Sequence, residues 1–483
     1  MTELLDKRKF YIDGTWVAPA ATHDLEVIDP STEDPVAVIS VGGQADTDAA
    51  VAAAKRAFPA WSATPPAERL AYVEKILEIY QRRAPDMAWA ITHEMGAPSD
   101  MSAADQVESG TYHTQNFIDA FKNFEFVRPL GPQAPNTMIS WEPIGVVALI
   151  TPWNWPMNQV TLKVIPALLA GDTMVLKPSE IAPLSSMVFA EIVDEAGLPP
   201  GVFNLVNGDG EGVGTQLTVH PDVEMISFTG STRAGIAISR AAADGLKKVA
   251  LELGGKGANL VFADADEKAV MRGARHVFYN SGQSCNAPTR MLVQREIYDR
   301  AVETAREVAE KTAVASAHEP GRHIGPVVSK RQWDQIQGLI EKGIAEGARL
   351  VAGGPGLPEG VNRGYFVRPT VFADVTNDMT IAQTEIFGPV LSIIPFDDEE
   401  DAIRIANDTA YGLTNYVQSL DGDRRNRLAR RLRSGMVEMN GESRGRGAFF
   451  GGIGRSGRAR EGGVWGIEEF MDSKAISGWD GQS

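Results

Sequence analysis

The chain has 483 residues, 43% hydrophobic and 23% charged, with a formal net charge of -17 and a single cysteine. That composition fits a globular chain of two to four structural units, and its acidity argues against nucleic acid or an anionic membrane as a partner. One thiol excludes an intrachain disulfide and a thiolate zinc site, and the absence of an apolar core in residues 1–9 or of any bilayer-length apolar run makes the cytoplasm the expected location.

In chain order, residues 9–17 alternate around Asp13-Gly14, which predicts a β-hairpin. Residues 46–58, 67–83 and 99–121 carry apolar and charged positions with helical period. His93 and His113, with no metal-ligand spacing between them, read there as scaffold. Residues 124–128 and 138–141 are strand-like runs around a Pro/Gly-rich turn, a projecting hairpin able to pair with another subunit. From Ile144 the pattern becomes short apolar strands (145–150, 174–177, 202–206 and 224–228) alternating with helices. This rhythm predicts an α/β fold with a doubly wound parallel sheet, whose ligands collect at the carboxyl ends of the strands. The polar segments fall at those ends. The region after Arg295 reads as helix-rich, charged surface and core stripe.

Each strand end has a chemical reading. Gly230-Ser231-Thr232-Arg233-Ala234-Gly235 opens a helix directly after a strand, so its free N–H groups can hold a pyrophosphate. Gly208-Asp209-Gly210 is either a second close approach or a plain loop. Lys177 and Glu180 are placed to bond ribose hydroxyls, and a carboxylate there repels a 2′-phosphate, favouring NAD over NADP. Ser179-Glu180 could equally cap a helix. Glu252, between Leu251 and Leu253 and beside Gly254-Gly255, has the desolvated setting of a general base. Glu385 and Phe387 adjoin the rigid turn Gly388-Pro389, and residues 449–463 form a glycine-rich loop. Cys285 lies among small polar residues in the stretch 280–290. It reads either as a small buried hydrophobe or as a thiol on a turn of polarised backbone, where it could be deprotonated and used.

Six motifs in order resemble the NAD(P)-dependent aldehyde dehydrogenase superfamily: Pro152-Trp153-Asn154-Trp155-Pro156, Lys177-Pro178-Ser179-Glu180, Phe228-Thr229-Gly230-Ser231-Thr232, Leu251-Glu252-Leu253-Gly254-Gly255-Lys256, Gly282-Gln283-Ser284-Cys285 and Glu385-Ile386-Phe387-Gly388-Pro389. The likeness runs from about residue 10 to residue 474. It implies a Rossmann-type NAD-binding domain at 1–123 and 143–253, and an α/β catalytic domain at 254–455. It also implies a small β oligomerisation arm at 124–142 and 469–483, serving a homodimer or homotetramer. For the cofactor it implies contacts from Ile150, Thr151, Pro152, Trp153, Lys177, Ser179, Glu180, Gly210, Gly214, Phe228, Thr229, Gly230, Ser231, Leu253, Gly254, Glu385 and Phe387.

The same resemblance implies that Cys285 attacks an aldehyde, while the Asn154 amide and the Cys285 N–H hold the oxyanion. Glu252 then activates the water that hydrolyses the thioester, and Lys163 and Glu461 pass protons away. Substrate is expected against Trp155, Asn158, Ser284, Asn286, Arg444 and Phe450. The chain departs from the family pattern at Trp155, at Asn286, and in a C-terminal loop without the usual proline and lysine. Arg444 or Arg446 could accept a carboxylate-bearing aldehyde whose apolar body lies on Trp155 and Phe450; otherwise these arginines pair with Glu442 on an exposed loop. The competing functions are a coenzyme-A-acylating semialdehyde dehydrogenase, which Glu252 argues against, and a catalytically silent structural or ligand-binding protein.

Overall fold

The computed structural model describes residues 4–479. Residues 1–3 and 480–483, which the readings of the N-terminus and of the arm include, lie outside the described residues. Numbering the strands of the two large sheets only, the first sheet holds β1 (Phe10–Ile12), β2 (Thr15–Val17), β3 (Val146–Ile150), β4 (Thr173–Lys177), β5 (Phe203–Leu205), β6 (Met225–Gly230) and β7 (Lys248–Leu253). Their order is β7-β6-β3-β4-β5-β1-β2. The run from β7 to β5 is parallel, and the hairpin β1–β2 adds an antiparallel edge. Asp13 and Gly14 make that hairpin with φ of 52° and 75°, the two left-handed residues of a type I′ turn.

Both faces of this sheet are covered, which is why its central strands are apolar without alternation. Strand β3 shows the division. Val146, Ala148 and Ile150 enter one core with Ala50 and Val51 of helix Gln44–Ser62, whereas Val147 and Leu149 enter another with Val160, Ile165 and Phe189. Helix Pro156–Ala170 starts with a proline whose missing N–H costs nothing at that position, and ends at Gly171 in the left-handed region.

The second sheet holds β8 (Ala258–Val261), β9 (Arg290–Gln294), β10 (Arg349–Ala352), β11 (Thr370–Ala373), β12 (Val390–Phe396), β13 (Thr414–Gln418) and β14 (Met436–Met439). Its order is β10-β11-β12-β9-β8-β13-β14, parallel except for β10 against β11. The region after Arg295 thus has the expected helices, Tyr298–Lys311 and Lys330–Ala345, but also contributes strands β10 and β11.

Two smaller sheets complete the architecture. Val127–Pro129 and Thr137–Pro143 form the expected hairpin, and Met471–Ser477 pairs antiparallel with its longer strand. Leu5–Lys7, Pro35–Ser40 and Asp24–Ile28 form a sheet that the sequence reading did not anticipate. Residues 99–121 are helical as expected, with a π-type turn at Ser102–Val107 that aims Gln106 inward. Helix Gly463–Glu469 packs on helices Glu108–Phe121 and Pro156–Ala170, which brings the C-terminal loop back over the first sheet. No helix among the described residues is long and apolar enough to cross a membrane.

Arg290, at the start of β9, ties together three segments around the second sheet. Its fully buried guanidinium donates to the carbonyls of Lys256 (3.1 Å), Ile405 (3.0 Å) and Ala406 (2.9 Å), and to Asn377 Oδ1 (2.9 Å). Burial lowers its affinity for a proton, yet of its backbone acceptors only the Ile405 carbonyl also receives another N–H, from Asp408 at 3.3 Å. Arg290→Met keeps the bulk and strands those acceptors, so denaturant unfolding should show a loss of about 3 kcal/mol. An unchanged midpoint would show that water satisfies the carbonyls.

Candidate active site

Between the carboxyl ends of the first sheet and the turn bearing Cys285 lies a cavity of about 230 Å³. Its wall is made by Pro152, Trp153, Asn154, Gln159, Thr229, Gly230, Ser231, Leu253, Gly254, Cys285, Gln332, Gln335, Glu385 and Phe387. The structure therefore brings together, from five separate sequence motifs, eleven of the residues singled out above: all but Gln159, Gln332 and Gln335. The three glutamines were missed. Gln159 follows the quoted Trp-Pro motif on the same helix, but Gln332 and Gln335 belong to helix Lys330–Ala345 and carry no local signal.

The backbone that presents Cys285 is unusual. Asn280, Ser281 and Gly282 are all left-handed, with φ of 52°, 56° and 73°. A Cβ on Gly282 would lie 2.1 Å from the Gly388 carbonyl, so only glycine fits. Side chains hold the turn. Asn280 Nδ2 donates to the Asn154 carbonyl (3.0 Å), and Gln106 Nε2 donates to that carbonyl (3.2 Å) and to Asn280 Oδ1 (3.3 Å). Ser281 Oγ donates to the Gly325 carbonyl (2.8 Å), and the Val328 N–H donates to Gln283 Oε1 (2.9 Å). The Asn154 side-chain amide donates to the Gln283 carbonyl at 3.0 Å, which leaves its second N–H uncommitted.

The thiol is set among buried carboxylates, and desolvation governs them all. Glu252 is buried and neither carboxylate oxygen has a partner; burial, then the Glu461 charge, hold its pKa well above the usual carboxylate range, against the pull of Lys163 and Arg460. Glu385 is pushed up to about 7 by burial, offset by the Gly255 N–H at 2.8 Å and by Lys256. Cys285 is half-buried, and desolvation followed by Glu385 and Glu252 pushes its thiol up, with Arg444 acting the other way. The polar backbone of the turn is there, but at rest desolvation, with the two carboxylates behind it, favours the protonated thiol.

Lys163 is fully buried and ion-paired with Glu461, whose second oxygen has no partner. The glycine-rich loop packs over Glu252: Gly457 bridges the Glu252 backbone, and Phe450 bridges Glu461. Lys256, in a quoted motif but given no role, is buried with an unpartnered ammonium lowered to about 7 by burial and the nearby Arg290.

The remaining expected cofactor residues lie along the strand ends outside the cavity wall. Ile150 and Thr151 end and follow β3, Phe228 is in β6, and Ser179 is buried. Lys177 donates to the Gly208 (2.6 Å) and Pro178 (2.9 Å) carbonyls and stands 3.5 Å from the part-exposed Glu180. Ser179 Oγ accepts from the Ile181 N–H rather than from a helix end, since the next helix starts at Leu184. Gly210 and Gly214 bound a π-type turn capped by Asp209, and Ser231 caps helix Thr232–Ala243.

None of the six substrate-side residues is on the cavity wall among the described residues. Trp155 Nε1 donates to Ser284 Oγ at 2.8 Å, Tyr416 donates to the Asn286 carbonyl at 2.7 Å, and Asn158 Nδ2 lies 2.9 Å from His113 Nε2. His113, read as scaffold, is thus a buried neighbour of an expected substrate residue; burial lowers its pKa to about 3 and keeps it neutral. Arg444 lies 4.6 Å over the Phe450 ring and 3.4 Å from Glu438, and Arg446 lies 3.5 Å from Asp119. Neither arginine pairs with Glu442, which corrects that alternative.

A thiol beside an amide donor, backed by a buried carboxylate able to take a proton, is equipped for acyl chemistry. Comparisons agree with that arrangement. Residues 16–476 match the aldehyde dehydrogenase family. The chain is 48% identical over 478 residues to a 3-succinoylsemialdehyde-pyridine dehydrogenase from a Pseudomonas species, covering 99% of each chain. A crystal structure of an aldehyde dehydrogenase from Bartonella henselae superposes with a TM-score of 0.98 at 63% identity, covering 99% of this chain and 100% of that one. Aldehyde dehydrogenase C from Pseudomonas syringae, solved as a cysteine-to-alanine mutant with NAD+ and octanal, gives 0.96 at 46% identity, covering 99% and 98%. The chain belongs to the aldehyde dehydrogenase family.

Proposed function

We propose that this protein oxidises an aldehyde to its carboxylic acid with NAD, by way of a thioester on Cys285. The observation that carries the reading is the convergence of the only thiol in the chain, the Asn154 amide and Glu385 on one cavity wall, with the unpartnered Glu252 buried beside Leu253. The wall also suits a nicotinamide nucleotide. Thr229 Oγ1 and Gln159 Oε1 are buried there without protein partners, as groups awaiting a polar ligand are. Glu385 and Phe387 would hold the nicotinamide ribose and ring, the strand ends with Lys177, Ser179 and Glu180 the adenosine ribose, and Ser231 with Gly230 the pyrophosphate. When bound, NAD supplies the hydride acceptor.

The protein groups then have defined tasks. Glu252 takes the proton of the Cys285 thiol as Sγ adds to the aldehyde carbon, and gives it up before its second use. The free Asn154 N–H and the Cys285 backbone N–H hold the resulting oxyanion. Glu252, desolvated enough to accept a proton, activates the water that releases the acid from the thioester, and the Lys163–Glu461 pair is placed to take that proton onward. For substrate, Arg444 is already engaged by Glu438 and Phe450, which supports an aldehyde with an apolar or aromatic body over one selected by its carboxylate. The Pseudomonas relatives, one named for a pyridine-bearing semialdehyde and one solved with octanal, support the same class.

The domain limits expected above fit the two large sheets, and the strand Met471–Ser477, seven residues long and unpaired along its outer edge, supports the arm as a contact between copies in a homo-oligomer. A cytoplasmic location rests on the composition alone.

Glu252→Gln should retain a slowed burst of NADH while steady turnover falls about 10²–10⁴-fold, and Cys285→Ala should lose the burst as well. Rapid-mixing absorbance with NAD and octanal reads both; full turnover by Glu252→Gln would remove the assigned base. The deprotonated Glu252 is the active form, and its folded pKa is raised, so wild-type turnover should climb as pH rises through that pKa. Glu252→Gln should abolish this rise. Glu180→Gln removes the carboxylate that repels a 2′-phosphate and should raise the NADP/NAD ratio of kcat/KM about tenfold. An unchanged ratio would place cofactor choice elsewhere.

A further inference from the structure

Three side chains distant in sequence converge away from the Cys285 cavity. Asp29 follows strand Asp24–Ile28, His93 is in the last turn of helix Ala84–Met95, and His318 is in the segment between helices Tyr298–Lys311 and Lys330–Ala345. One carboxylate oxygen and one ring nitrogen from each histidine all lie within 4.8 Å of one another, the only such group of three among the described residues. Asp29 Oδ2 and His318 Nε2 are 2.6 Å apart, and the two imidazole centroids are 4.5 Å apart at 52°.

The surroundings orient these atoms as metal ligands are oriented. A ligating histidine commonly donates its other ring N–H to a fixed acceptor, which sets the tautomer. His93 Nδ1 lies 2.7 Å from the Trp89 carbonyl, an acceptor only, so Nδ1 carries the hydrogen and Nε2 keeps its lone pair. Trp89 stacks on the His93 ring at 4.1 Å and limits its rotation. Asp29 is 2% exposed; its Oδ1 accepts from the Ser31 N–H at 2.8 Å, which leaves Oδ2 facing the histidines.

We propose that Asp29, His93 and His318 form a site for one divalent ion of the zinc class, which clamps the His318 segment to the N-terminal part of the chain. Two imidazoles and a carboxylate suit Zn²⁺, Co²⁺ or Ni²⁺, whereas Mg²⁺ and Ca²⁺ prefer all-oxygen sites. Ligands about 2.1 Å from a tetrahedral ion stand roughly 3.4 Å apart, which Asp29 and His318 reach by separating less than about 1 Å. The hydrogen that His318 shares with Asp29 leaves to solvent, and a water takes the fourth position. The ion acts on docking, not on the aldehyde. The same segment already meets the N-terminal part through the Ala317 N–H on Ser31 Oγ (3.0 Å), the Ser99 N–H on the Ala317 carbonyl (2.8 Å) and the Gly321 N–H on Asp100 (2.9 Å).

The test uses untagged, full-length Cys285→Ala protein, so that the thiol takes up no metal, stripped with chelator and titrated with Co²⁺. Expected are one Co²⁺ per chain, the visible absorption band of a tetrahedral site, and a raised unfolding temperature. His93→Ala and His318→Gln, each added to that background, should weaken Co²⁺ binding at least about tenfold and remove the band. If either fails to fold without metal, Asp29→Asn replaces it, since the amide oxygen can still accept from Ser31. No uptake at Co²⁺ up to about 1 mM, or a band and temperature rise that survive in the variants, would overturn the proposal.

Discussion

The active-site geometry depends on a strained turn. Asn280 and Ser281 each occupy a region that costs a side-chain-bearing residue about 1–3 kcal/mol, and they persist because their surroundings leave no alternative. Asn280 and Gln106 together saturate the Asn154 carbonyl, while Ser281 and Gln283 are fixed from the 325–328 segment. Gly282 lies against Gly388, next to Phe387, which is itself left-handed at φ 57°. Two strained segments, the one presenting the thiol and the one presenting Glu385 and Phe387, therefore lock each other. The Asn154 backbone is tied to the turn that its side chain serves, so nucleophile and oxyanion donor are placed by one network.

Charge follows a related logic. Glu252, Glu385 and Glu461 are all buried near the thiol, and only Glu461 has a cation in direct contact, Lys163. Desolvation raises Glu252, Glu385 and the thiol, and negative charge adds to it at two of them, from Glu461 at Glu252 and from Glu385 and Glu252 at Cys285, which makes the resting thiol a poor nucleophile. That cost is the counterpart of a carboxylate basic enough to activate water: the same desolvation that protonates Cys285 gives Glu252 its proton affinity. Lys256, buried and unpartnered behind Glu385, partly compensates.

The legible parts of the sequence were those set by local rules. Asp13-Gly14 could only make a tight hairpin turn, and the unalternating strands 146–150 and 173–177 required cover on both faces. Motifs fell on strand ends because parallel strands collect ligands there. The rest depends on long-range pairing. Strands β10 and β11 are four-residue runs completed only by pairing with each other and with β12, and the three-residue Leu5–Lys7 is a strand only through its pairing with Pro35–Ser40. His113 gave no signal because its partner, Asn158, is on another helix, and Asp29 meets His318 across 289 residues. Nothing in the residue types of Asn280-Ser281 demands left-handed backbone; the contacts around them impose it.

The 312–328 segment joins these observations. At one end it is bound to Ser31, Ser99 and Asp100 in the N-terminal part of the chain; at the other, the Gly325 carbonyl and the Val328 N–H hold Ser281 and Gln283. The turn bearing Cys285 is thus steadied by a strap anchored on residues that do not line the cavity. A strap of this kind transmits looseness as readily as order: freeing its outer end would relax the acceptors that keep Asn280 and Ser281 in their costly conformation, and the thiol would lose its place beside Asn154 before any residue of the cavity wall had changed.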